Sequence, residues 1–248
     1  MSTPLHEKVA VVIGGTGGIG RVTAKRLAAA GAHVVVVNRA DTAAAQRLAD
    51  TLHGTQHLGA SAQLTDSASL VALAKKVEET YGRADILINT GGFTQAIKHS
   101  DLDALTDELI DDIMQVNFRG QFAAIRAFRH LLEASGDGLV VNVSSIAGST
   151  GVGSNIAYCA AKAALDVMTV SLGRALAPRI RVLNVAPGAV DTPFVPGRGA
   201  DFNQKVAATT PLGRVGLPED VAAAIEACAT HLTFSTGTTI IIDGGRRL

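Results

Sequence analysis

The chain has few cysteines and no excess of charge of either sign. Its two cysteines, Cys159 and Cys228, lie far apart without the spacing of metal ligands, so neither a disulfide framework nor a zinc site is predicted. Lysines and arginines number 22 and acidic residues 22, and this balance predicts no broad basic surface for nucleic acid. We therefore expect no metal, no nucleic-acid partner, and two buried thiols in a reducing compartment.

Long apolar segments are also scarce. Residues 1–8 contain no apolar signal core, and no apolar run has the length needed to cross a bilayer. We expect a cytoplasmic protein without membrane contact. At 248 residues and 47% hydrophobic content the chain can bury a substantial core, and no segment resembles a linker, so we predict one domain over 1–248.

Short apolar runs rich in β-branched residues alternate with stretches rich in alanine and leucine. The first kind is typical of strands buried on both faces, and the second of helices. The alternation predicts a doubly wound α/β fold, in which a Rossmann-like parallel sheet lies between two layers of helices. The predicted strands are 9–13, 34–37, 86–88, 139–143, 182–185 and 239–242, and the predicted helices are 18–30, 41–53, 67–81, 105–132, 156–177 and 218–230.

Capping residues mark several helix ends. Asp41 and Ser67 are predicted N-caps, Gly82 a stop signal and Pro218 a first-turn residue. The stretch 188–217, rich in proline and glycine, is too long for an ordinary connection. It is predicted to be a functional loop that covers the substrate.

A glycine-rich turn follows the first predicted strand and opens the first helix. Two registers fit, G-x-G-x-x-G from Gly15 to Gly20 or G-x-x-x-G-x-G through Gly14, Gly18 and Gly20. In either register the backbone can approach a pyrophosphate at the positive end of a helix, whereas a glycine turn without a ligand is the alternative. The residues predicted to bind the cofactor here are Gly14, Thr16, Gly17, Gly18, Ile19 and Gly20.

The end of the second strand predicts which nucleotide binds. In NAD-binding proteins an acidic residue about 20 positions after the glycine-rich turn holds the ribose, but this chain has Asn38 and Arg39 there. Asn38 brings no charge against a 2′-phosphate, and Arg39 is suited to a charge-assisted pair with it. The prediction is NADP(H). NAD(H) is the alternative if Arg39 is merely solvated or if Asp41 faces the ribose instead of capping its helix.

Tyr158 and Lys162 lie four residues apart on a predicted helix and therefore on one face of it. The ammonium group favours the phenolate, which brings the tyrosine pKa closer to the range useful for acid–base catalysis. Ser145, upstream of both, supplies a hydroxyl that would polarise a carbonyl group. Together they predict hydride-transfer chemistry. The alternative is that Tyr158 and Lys162 form only an exposed pair on the helix surface and that Ser145 only caps a turn.

Further motifs follow in a characteristic order. They are Asn89-Thr90-Gly91-Gly92, Val116-Asn117-Phe118, Asn142-Val143-Ser144-Ser145, Pro187-Gly188 with Thr192, and Asp243-Gly244-Gly245. With the glycine turn and the Tyr158–Lys162 pair, the chain resembles a short-chain dehydrogenase/reductase over nearly its whole length.

The resemblance implies catalytic roles for Asn117, Ser145, Tyr158 and Lys162. It implies that Lys162 also hydrogen-bonds the nicotinamide ribose, and that Asn117 holds a water linking Lys162 to solvent. Without the resemblance, Asn117 could simply satisfy backbone groups in a buried helix. The predicted cofactor contacts also include Gln63, Leu64, Asn89, Gly91, Tyr158, Lys162, Pro187, Gly188, Val190 and Thr192.

Three positions depart from the family's pattern. Ile13 stands where threonine is common, Gln63 where an aspartate often faces the adenine, and Thr90-Gly91 where Asn-Ala is usual. The departures concern cofactor affinity and bonding between strands, and they leave the four catalytic positions intact.

The expected function is NAD(P)-dependent hydride transfer between the cofactor and a carbonyl or secondary alcohol. Apolar walls are predicted at Phe93, Phe194, Val195 and Phe202, and the few nearby positive charges are Lys98, Arg198, Lys205 and Arg214. This shortage of basic residues favours a small substrate over an acyl-carrier protein. A 3-oxoacyl-carrier reductase, a non-catalytic nucleotide-binding regulator, and an epimerase or dehydratase are the alternatives.

A homotetramer, or a homodimer, is expected from the family. The two long predicted helices, 105–132 and 156–177, also carry more apolar positions than packing on one sheet face needs. These positions are Ile113, Phe122, Ile125, Val167, Met168 and Leu172.

Overall fold

A computed structural model describes residues 3–197, 199 and 201–248. Its seven strands form one parallel sheet in the order β3-β2-β1-β4-β5-β6-β7. This arrangement confirms the predicted doubly wound α/β class. The strands are β1 (Val9–Ile13), β2 (His33–Asn38), β3 (Leu58–Ser61), β4 (Ile86–Asn89), β5 (Gly138–Val143), β6 (Ile180–Pro187) and β7 (Thr238–Ile242).

Helices cover both faces of the sheet. On one face lie α1 (Gly18–Ala29), α2 (Thr42–Ala49) and α9 (Pro218–Thr230), and on the other lie α3 (Ser67–Tyr81), α5 (Gly120–Ala134) and α7 (Ile156–Leu176). The shorter helices α4 (Asp107–Met114), α6 (Ala147–Thr150) and α8 (Phe202–Ala208) belong to the connections.

The first strand shows why the sequence runs are so uniformly apolar. Val9, Val11 and Ile13 pack into the core under α3, α5 and α7, while Ala10 and Val12 pack under α1, α2 and α9. Because both faces are buried, each large side chain contributes about 1.5–3 kcal/mol relative to an exposed one.

The strand order reverses between β1 and β4, and this point positions the site. In doubly wound sheets, ligands bind outside the carboxyl ends of the strands at such a reversal. Thr90, directly after β4, donates from its backbone N (3.0 Å) and its Oγ1 (2.8 Å) to the carbonyl oxygen of Ile13 at the end of β1. The glycine turn and the Asn89 motif are thereby held side by side.

The predicted helix 105–132 is interrupted. A π-helical turn at Gln115–Arg119 separates α4 from α5, and Asn117 lies within this turn. Such turns often occur at functional sites because they locally re-aim side chains.

Strand β3 is absent from the sequence prediction. It is only four residues long and contains Gly59, which weakens any strand signal. A Cβ on Gly59 would collide with the backbone of Gln46 in α2, so glycine is required for this helix to pack on the strand.

Helix ends also differ in places. The N-cap of α3 is Asp66 rather than Ser67, because the Asp66 carboxylate accepts the N–H of Ala68 at 2.9 Å. Helix α2 ends at Ala49 instead of continuing to 53. Asp41 and Gly82 cap their helices as predicted.

Helix α7 differs from the expectation about apolar length. Its 21 residues are long and apolar enough to cross a membrane by length and composition. In the fold, however, Ala161 and Leu165 are fully buried, and Lys162 and Asp166 hydrogen-bond to residues of the sheet. These are the features of a core helix.

Candidate active site

The glycine turn lies at the carboxyl end of β1, as predicted. Gly14 has a φ of +76°, and a Cβ there would lie 2.8 Å from Oγ1 of Thr90. A Cβ on Gly20 would collide with the carbonyl oxygen of Gly14, and one on Gly18 would lie 2.7 Å from Cγ2 of Thr192. A side chain at any of these three positions would therefore fill the cradle.

This packing distinguishes the two glycine registers. Gly14, Gly15, Gly18 and Gly20 are all closely packed, whereas a Cβ on Gly17 would meet only the Gly14 carbonyl, at 3.2 Å. All three glycines of G-x-x-x-G-x-G are therefore required by packing, while the G-x-G-x-x-G register includes the less crowded Gly17. No side chain caps α1, whose N-cap is Gly17. The first-turn N–H groups, including that of Ile19, are therefore suited to an anion, and the cradle fits the pyrophosphate of a dinucleotide.

Asn38 lies beside this turn with its amide already engaged. Its Nδ2 donates to Oγ1 of Thr16 at 2.7 Å, and its Oδ1 accepts the N–H groups of Ala40 and Asp41 at 2.9 Å each. Asn38 thus ties the end of β2 to the glycine turn and adds no negative charge there.

Arg39 is exposed, and in the described part of the chain it makes no hydrogen bond or ion pair. Asp41 caps α2 by accepting the N–H of Ala44 at 2.8 Å. The carboxylate is therefore committed to its helix, while the Arg39 guanidinium is open to a phosphate.

The other predicted cofactor residues near this end lie after β3 and β4. Leu64 is buried, with Cδ1 2.9 Å from the position of a Cβ on Gly91, whereas Gln63 is exposed. Asn89 is buried and donates from Nδ2 to Oδ1 of Asn142 at 2.9 Å. Among the described residues, Oδ1 of Asn89 has no partner.

Three buried asparagines continue this contact across the sheet. Asn142 is the register partner of both Asn89 and Asn184, and its Nδ2 lies 3.3 Å from Oδ1 of Asn184. We call Asn89, Asn142 and Asn184 the asparagine ladder. It lies near the carboxyl ends of β4, β5 and β6.

Helix α7 brings Tyr158 and Lys162 to the end of β5. Asn155 caps the helix by accepting the N–H of Tyr158 at 2.7 Å. The Lys162 Nζ lies 5.6 Å from the centre of the Tyr158 ring and donates to the carbonyl oxygen of Val143 at 2.8 Å. Tyr158 is 9% exposed and Lys162 3%, so the explanation as an exposed pair is wrong.

The electrostatics of Lys162 suit its predicted role. Burial lowers the pKa of Lys162 to about 8, while the negative charge of Asp166 acts to raise it. A cation held beside the phenol ring favours the charged phenolate form of Tyr158.

Ser145 follows β5 and faces the start of α6. Its Oγ accepts the N–H of Ala147 at 3.2 Å, so the residue does cap this turn. Within the described residues its O–H donates to no acceptor, which leaves it available to a substrate oxygen.

Asn117 is fully buried in the π-helical turn. Its Nδ2 donates to the carbonyl oxygens of Phe93 (2.7 Å) and Ile113 (2.9 Å), and its Oδ1 accepts the N–H of Phe93 at 3.3 Å. The side chain therefore satisfies backbone groups and fixes Phe93, and its donors are not free for a substrate.

The loop 188–217 runs from the end of β6 towards both halves of the site. Gly188 follows Pro187 and packs near Asp243, and Val190 forms an isolated bridge with Gly216. Thr192, a little further on, contacts the glycine turn at Gly18.

Phe194 lies over the ring of Tyr158. Its ring centre lies 6.1 Å from that of Tyr158, at a tilt of 52°. A Cβ on Gly92 would lie 3.3 Å from the Phe194 ring and 3.0 Å from Oδ1 of Asn117. Predicted basic residue Arg198 lies outside the described residues.

A family model described as short chain dehydrogenase matches residues 8–202. The chain belongs to the short-chain dehydrogenase/reductase family.

Similar proteins cover the full chain. A Streptomyces violaceoruber protein assigned as ketoacyl reductase 2 of the granaticin polyketide synthase is 38% identical over 253 residues, 100% of each chain. The cis-4-hydroxycyclohexanecarboxylate dehydrogenase of Sinomonas cyclohexanicum is 36% identical over 252 residues, 99% of this chain and 98% of that protein. A Burkholderia xenovorans structure assigned as a short-chain dehydrogenase/reductase has a TM-score of 0.91 and 34% identity, covering 97% of this chain and 98% of that one.

The family assignment confirms the expected reaction class. This short-chain dehydrogenase/reductase is an NAD(P)-dependent oxidoreductase that transfers a hydride between a nicotinamide cofactor and a carbonyl or secondary alcohol. Within the described residues, no group of three or more His, Cys, Asp or Glu side chains is arranged to hold a metal ion.

Two members of the site were not predicted from the sequence. Asn155 caps α7, and its position three residues before Tyr158 is an N-cap signal. Asp166 follows Lys162 by the same four-residue spacing that identified the Tyr158–Lys162 pair, and that spacing would have placed it on the same face.

Proposed function

We propose that this short-chain dehydrogenase/reductase prefers NADP(H) and interconverts a small carbonyl compound and its secondary alcohol through Asn117, Ser145, Tyr158 and Lys162. The observation that carries the proposal is the buried Tyr158–Lys162 pair. It is anchored to Val143 at the carboxyl edge of the sheet, the edge that also carries the glycine turn.

The chemistry follows from the positions of the two hydroxyl groups. When bound, the nicotinamide cofactor supplies a hydride to the carbonyl carbon, or accepts one in the opposite direction. Negative charge builds on the substrate oxygen during reduction, and the Ser145 O–H meets it with a hydrogen bond. Tyr158 transfers its phenolic proton to the same oxygen.

Lys162 makes this proton transfer feasible near neutral pH. A free tyrosine has a pKa of about 10, so its phenolate is scarce at neutral pH. The buried ammonium group, fixed by the Val143 carbonyl, favours the phenolate through its charge. Asn117 contributes by holding the Phe93 backbone at the edge of the pocket.

The predicted cofactor set fits a dinucleotide along the carboxyl edge. The glycine turn would hold the pyrophosphate and Arg39 the 2′-phosphate of NADP(H), with Asn38 next to it. The residues proposed along the remainder of the cofactor are Gln63, Leu64, Asn89, Gly91, Tyr158, Lys162, Pro187, Gly188, Val190 and Thr192. NAD(H) remains the alternative cofactor.

The substrate is proposed to be small and largely apolar around its carbonyl. Phe194 lies against Tyr158 and supplies an aromatic wall beside the reacting hydroxyl, while Asn117 fixes the Phe93 backbone at the edge of the pocket. The 3-oxoacyl-[acyl-carrier-protein] reductase of Escherichia coli, 32% identical to this chain over 240 residues, favours a 3-oxoacyl-carrier substrate as the second candidate. Rates with small ketones and with an acyl-carrier thioester, measured side by side, separate the two.

We also propose that the chain forms one domain over 1–248 and works in the cytoplasm as a homotetramer, with a homodimer as the alternative. Phe122 on α5 and Val167 on α7 are 40% and 66% exposed, which supports a further interface. Other predicted interface positions do not, because Ile113, Ile125 and Met168 are buried in the core and Leu172 packs against it. Light scattering that gives a multiple of 25.4 kDa would support assembly, and a mass of 25.4 kDa would contradict it.

The function is tested by removing one oxygen atom. Tyr158→Phe is expected to lower carbonyl reduction by NADPH about 100-fold or more, with little change in NADPH affinity. Tyr81→Phe is the matched control, because Tyr81 is the other tyrosine of the chain and its hydroxyl bonds to the Gln56 carbonyl, outside the site. Full activity of Tyr158→Phe would refute the proposed mechanism.

The wild-type protein separates the remaining alternatives. NADPH binding without reduction of any carbonyl in a broad panel would favour a nucleotide-binding regulator. A tightly retained cofactor with substrate conversion but no net NADPH consumption would favour an epimerase or dehydratase.

A further inference from the structure

Asp166 is a half-buried carboxylate that the proposed mechanism does not use. It lies four residues after Lys162 and eight after Tyr158, so the three side chains share one face of α7. Its Oδ1 accepts hydrogen bonds from Oγ of Ser144 (2.6 Å), Nδ2 of Asn184 (2.8 Å) and Oγ1 of Thr239 (3.5 Å). One oxygen atom thus ties α7 to three strands or strand ends.

These contacts reach the catalytic serine through its neighbour. Ser144, adjacent to Ser145, also lies within 3.4 Å of the Lys162 carbonyl oxygen, and Lys162 Nζ bonds to the preceding residue, Val143. The end of β5 is therefore clamped to α7 by both Lys162 and Asp166. This clamp fixes the hydroxyl of Ser145 relative to that of Tyr158.

The charge of Asp166 acts on Lys162. Burial raises the pKa of Asp166, but donors from Ser144 and Asn184 stabilise its ionised form. The other groups around it in the described structure are neutral: a hydroxyl and an amide from β5 and β6, a hydroxyl from β7, and Gly148 of α6, whose Cβ position lies 3.1 Å from Oδ2. Lys162 is the charged group that acts on it electrostatically, with the titratable Tyr158 one turn beyond.

We propose that Asp166 is a positioning residue that keeps buried Lys162 protonated and fixes Ser145 through Ser144. The proposal rests on the proposed function for its catalytic consequence. Its electrostatic part concerns only the protein and is measurable without turnover.

The direct test is an NMR titration of the lysine side chains in the full-length wild type and in Asp166→Asn, with Lys162→Arg used to assign the Lys162 signal. Asparagine has the shape of aspartate and keeps an oxygen acceptor, so the variant removes mainly charge. The Lys162 titration midpoint is expected to fall by about one pH unit or more, as for removal of a close opposite charge. An unchanged midpoint would overturn the proposal.

Asp137→Asn is the matched charge control. Asp137 precedes β5, at the edge of the sheet opposite the site, and pairs with Arg181 at 3.7 Å. The same loss of one negative charge there is expected to leave the Lys162 midpoint unchanged. An equal shift in both variants would show a general charge effect and also overturn the proposal.

Activity gives the second readout. In the reductive direction, loss of the Lys162 proton ends activity at high pH, so the alkaline limb of the pH–rate profile in Asp166→Asn is expected to move down with the NMR midpoint. Ser144→Ala keeps the carboxylate, to which Asn184 and Thr239 still donate, and is expected to lower kcat with a much smaller change in the Lys162 midpoint than Asp166→Asn causes. Unchanged kcat in Ser144→Ala would remove the Ser145 part of the proposal.

The experiments distinguish failure of the proposed function from failure of the proposal about Asp166. If the wild type reduces no carbonyl, the proposed function fails, while the NMR titration still decides whether Asp166 holds the Lys162 charge. Should Asp166→Asn not fold, the Ser144→Ala rate and midpoint decide whether the clamp positions Ser145.

Discussion

Replacement of Arg39 by alanine is the sharpest test of nucleotide choice. Arg39 is exposed and has no partner within the described residues, so contact with a phosphate breaks no existing ion pair. The nearby carboxylate of Asp41 is committed to the N–H of Ala44. The favourable contact with a 2′-phosphate is therefore not offset by a lost one.

The size of the effect follows from the kind of contact. A charge-assisted hydrogen bond contributes about 1.5–3 kcal/mol, and the exposure of Arg39 places this one near the low end because solvent screens it. A loss of about 1.5–2 kcal/mol corresponds to roughly 10- to 30-fold weaker NADPH binding. NADH, which has no 2′-phosphate, is expected to bind the variant and the wild type equally.

The assay is a fluorescence titration of both nucleotides at fixed ionic strength, since salt weakens an exposed charge pair. Arg47→Ala is the control, because Arg47 is an exposed arginine on the adjacent α2 with only a 3.9 Å ion pair to Asp41. Equal losses for NADPH and NADH in Arg39→Ala, or tighter NADH binding by the wild type, would refute the assignment of the phosphate site.

Three further outcomes are expected. Gly59→Ala, which drives a methyl group into the backbone of Gln46, is expected to lower the free energy of unfolding by about 1–3 kcal/mol in urea denaturation, and wild-type stability would contradict the close packing. Burial lowers the pKa of His57, whose Nδ1 accepts the N–H of Val34 at 3.0 Å; the stability from this neutral histidine is complete above its ordinary pKa and is lost as the pH falls through the lowered one. His57→Asn offers a similar acceptor that does not titrate, so denaturation measured from pH 7 to 5 should show a flatter decline, and an unchanged slope would exclude His57 as its source. Gly92→Ala places a methyl group against the Asn117 amide and the Phe194 ring, so kcat is expected to fall with little change in NADPH affinity. A parallel loss of NADPH affinity would mean that the glycine turn has also moved.

The fold could be predicted because its strands are buried on both faces. Runs such as Val34–Val37 have no polar alternation, and this pattern alone indicates a parallel sheet covered on two sides. The strand Leu58–Ser61 was not predicted, because its formation depends on the packing of Gly59 against α2, a contact between separate segments. The π-helical turn escaped because its residues keep the apolar spacing of an ordinary helix.

The candidate site shows the same division. Tyr158 and Lys162 could be paired because helical spacing fixes their relation along the chain. The bond from Asn38 to Thr16 and the bonds from Asn117 to Phe93 join distant segments, and spacing does not specify them. Sequence therefore indicated which residues meet at the site, while the partners that occupy their polar atoms required the three-dimensional arrangement.

The asparagine ladder has a consequence for how the chain reaches this structure. Asn89, Asn142 and Asn184 face one another only when β4, β5 and β6 are aligned residue for residue. A two-residue slip of the middle strand would keep its apolar faces inward yet displace its amide by roughly 6.6 Å. Each amide left buried without a hydrogen-bond partner would then destabilise the fold by about 1–3 kcal/mol. Apolar strands of similar composition can pair in several registers. Because misaligned amides are energetically costly, the asparagine ladder favours the native register of β4, β5 and β6 during folding.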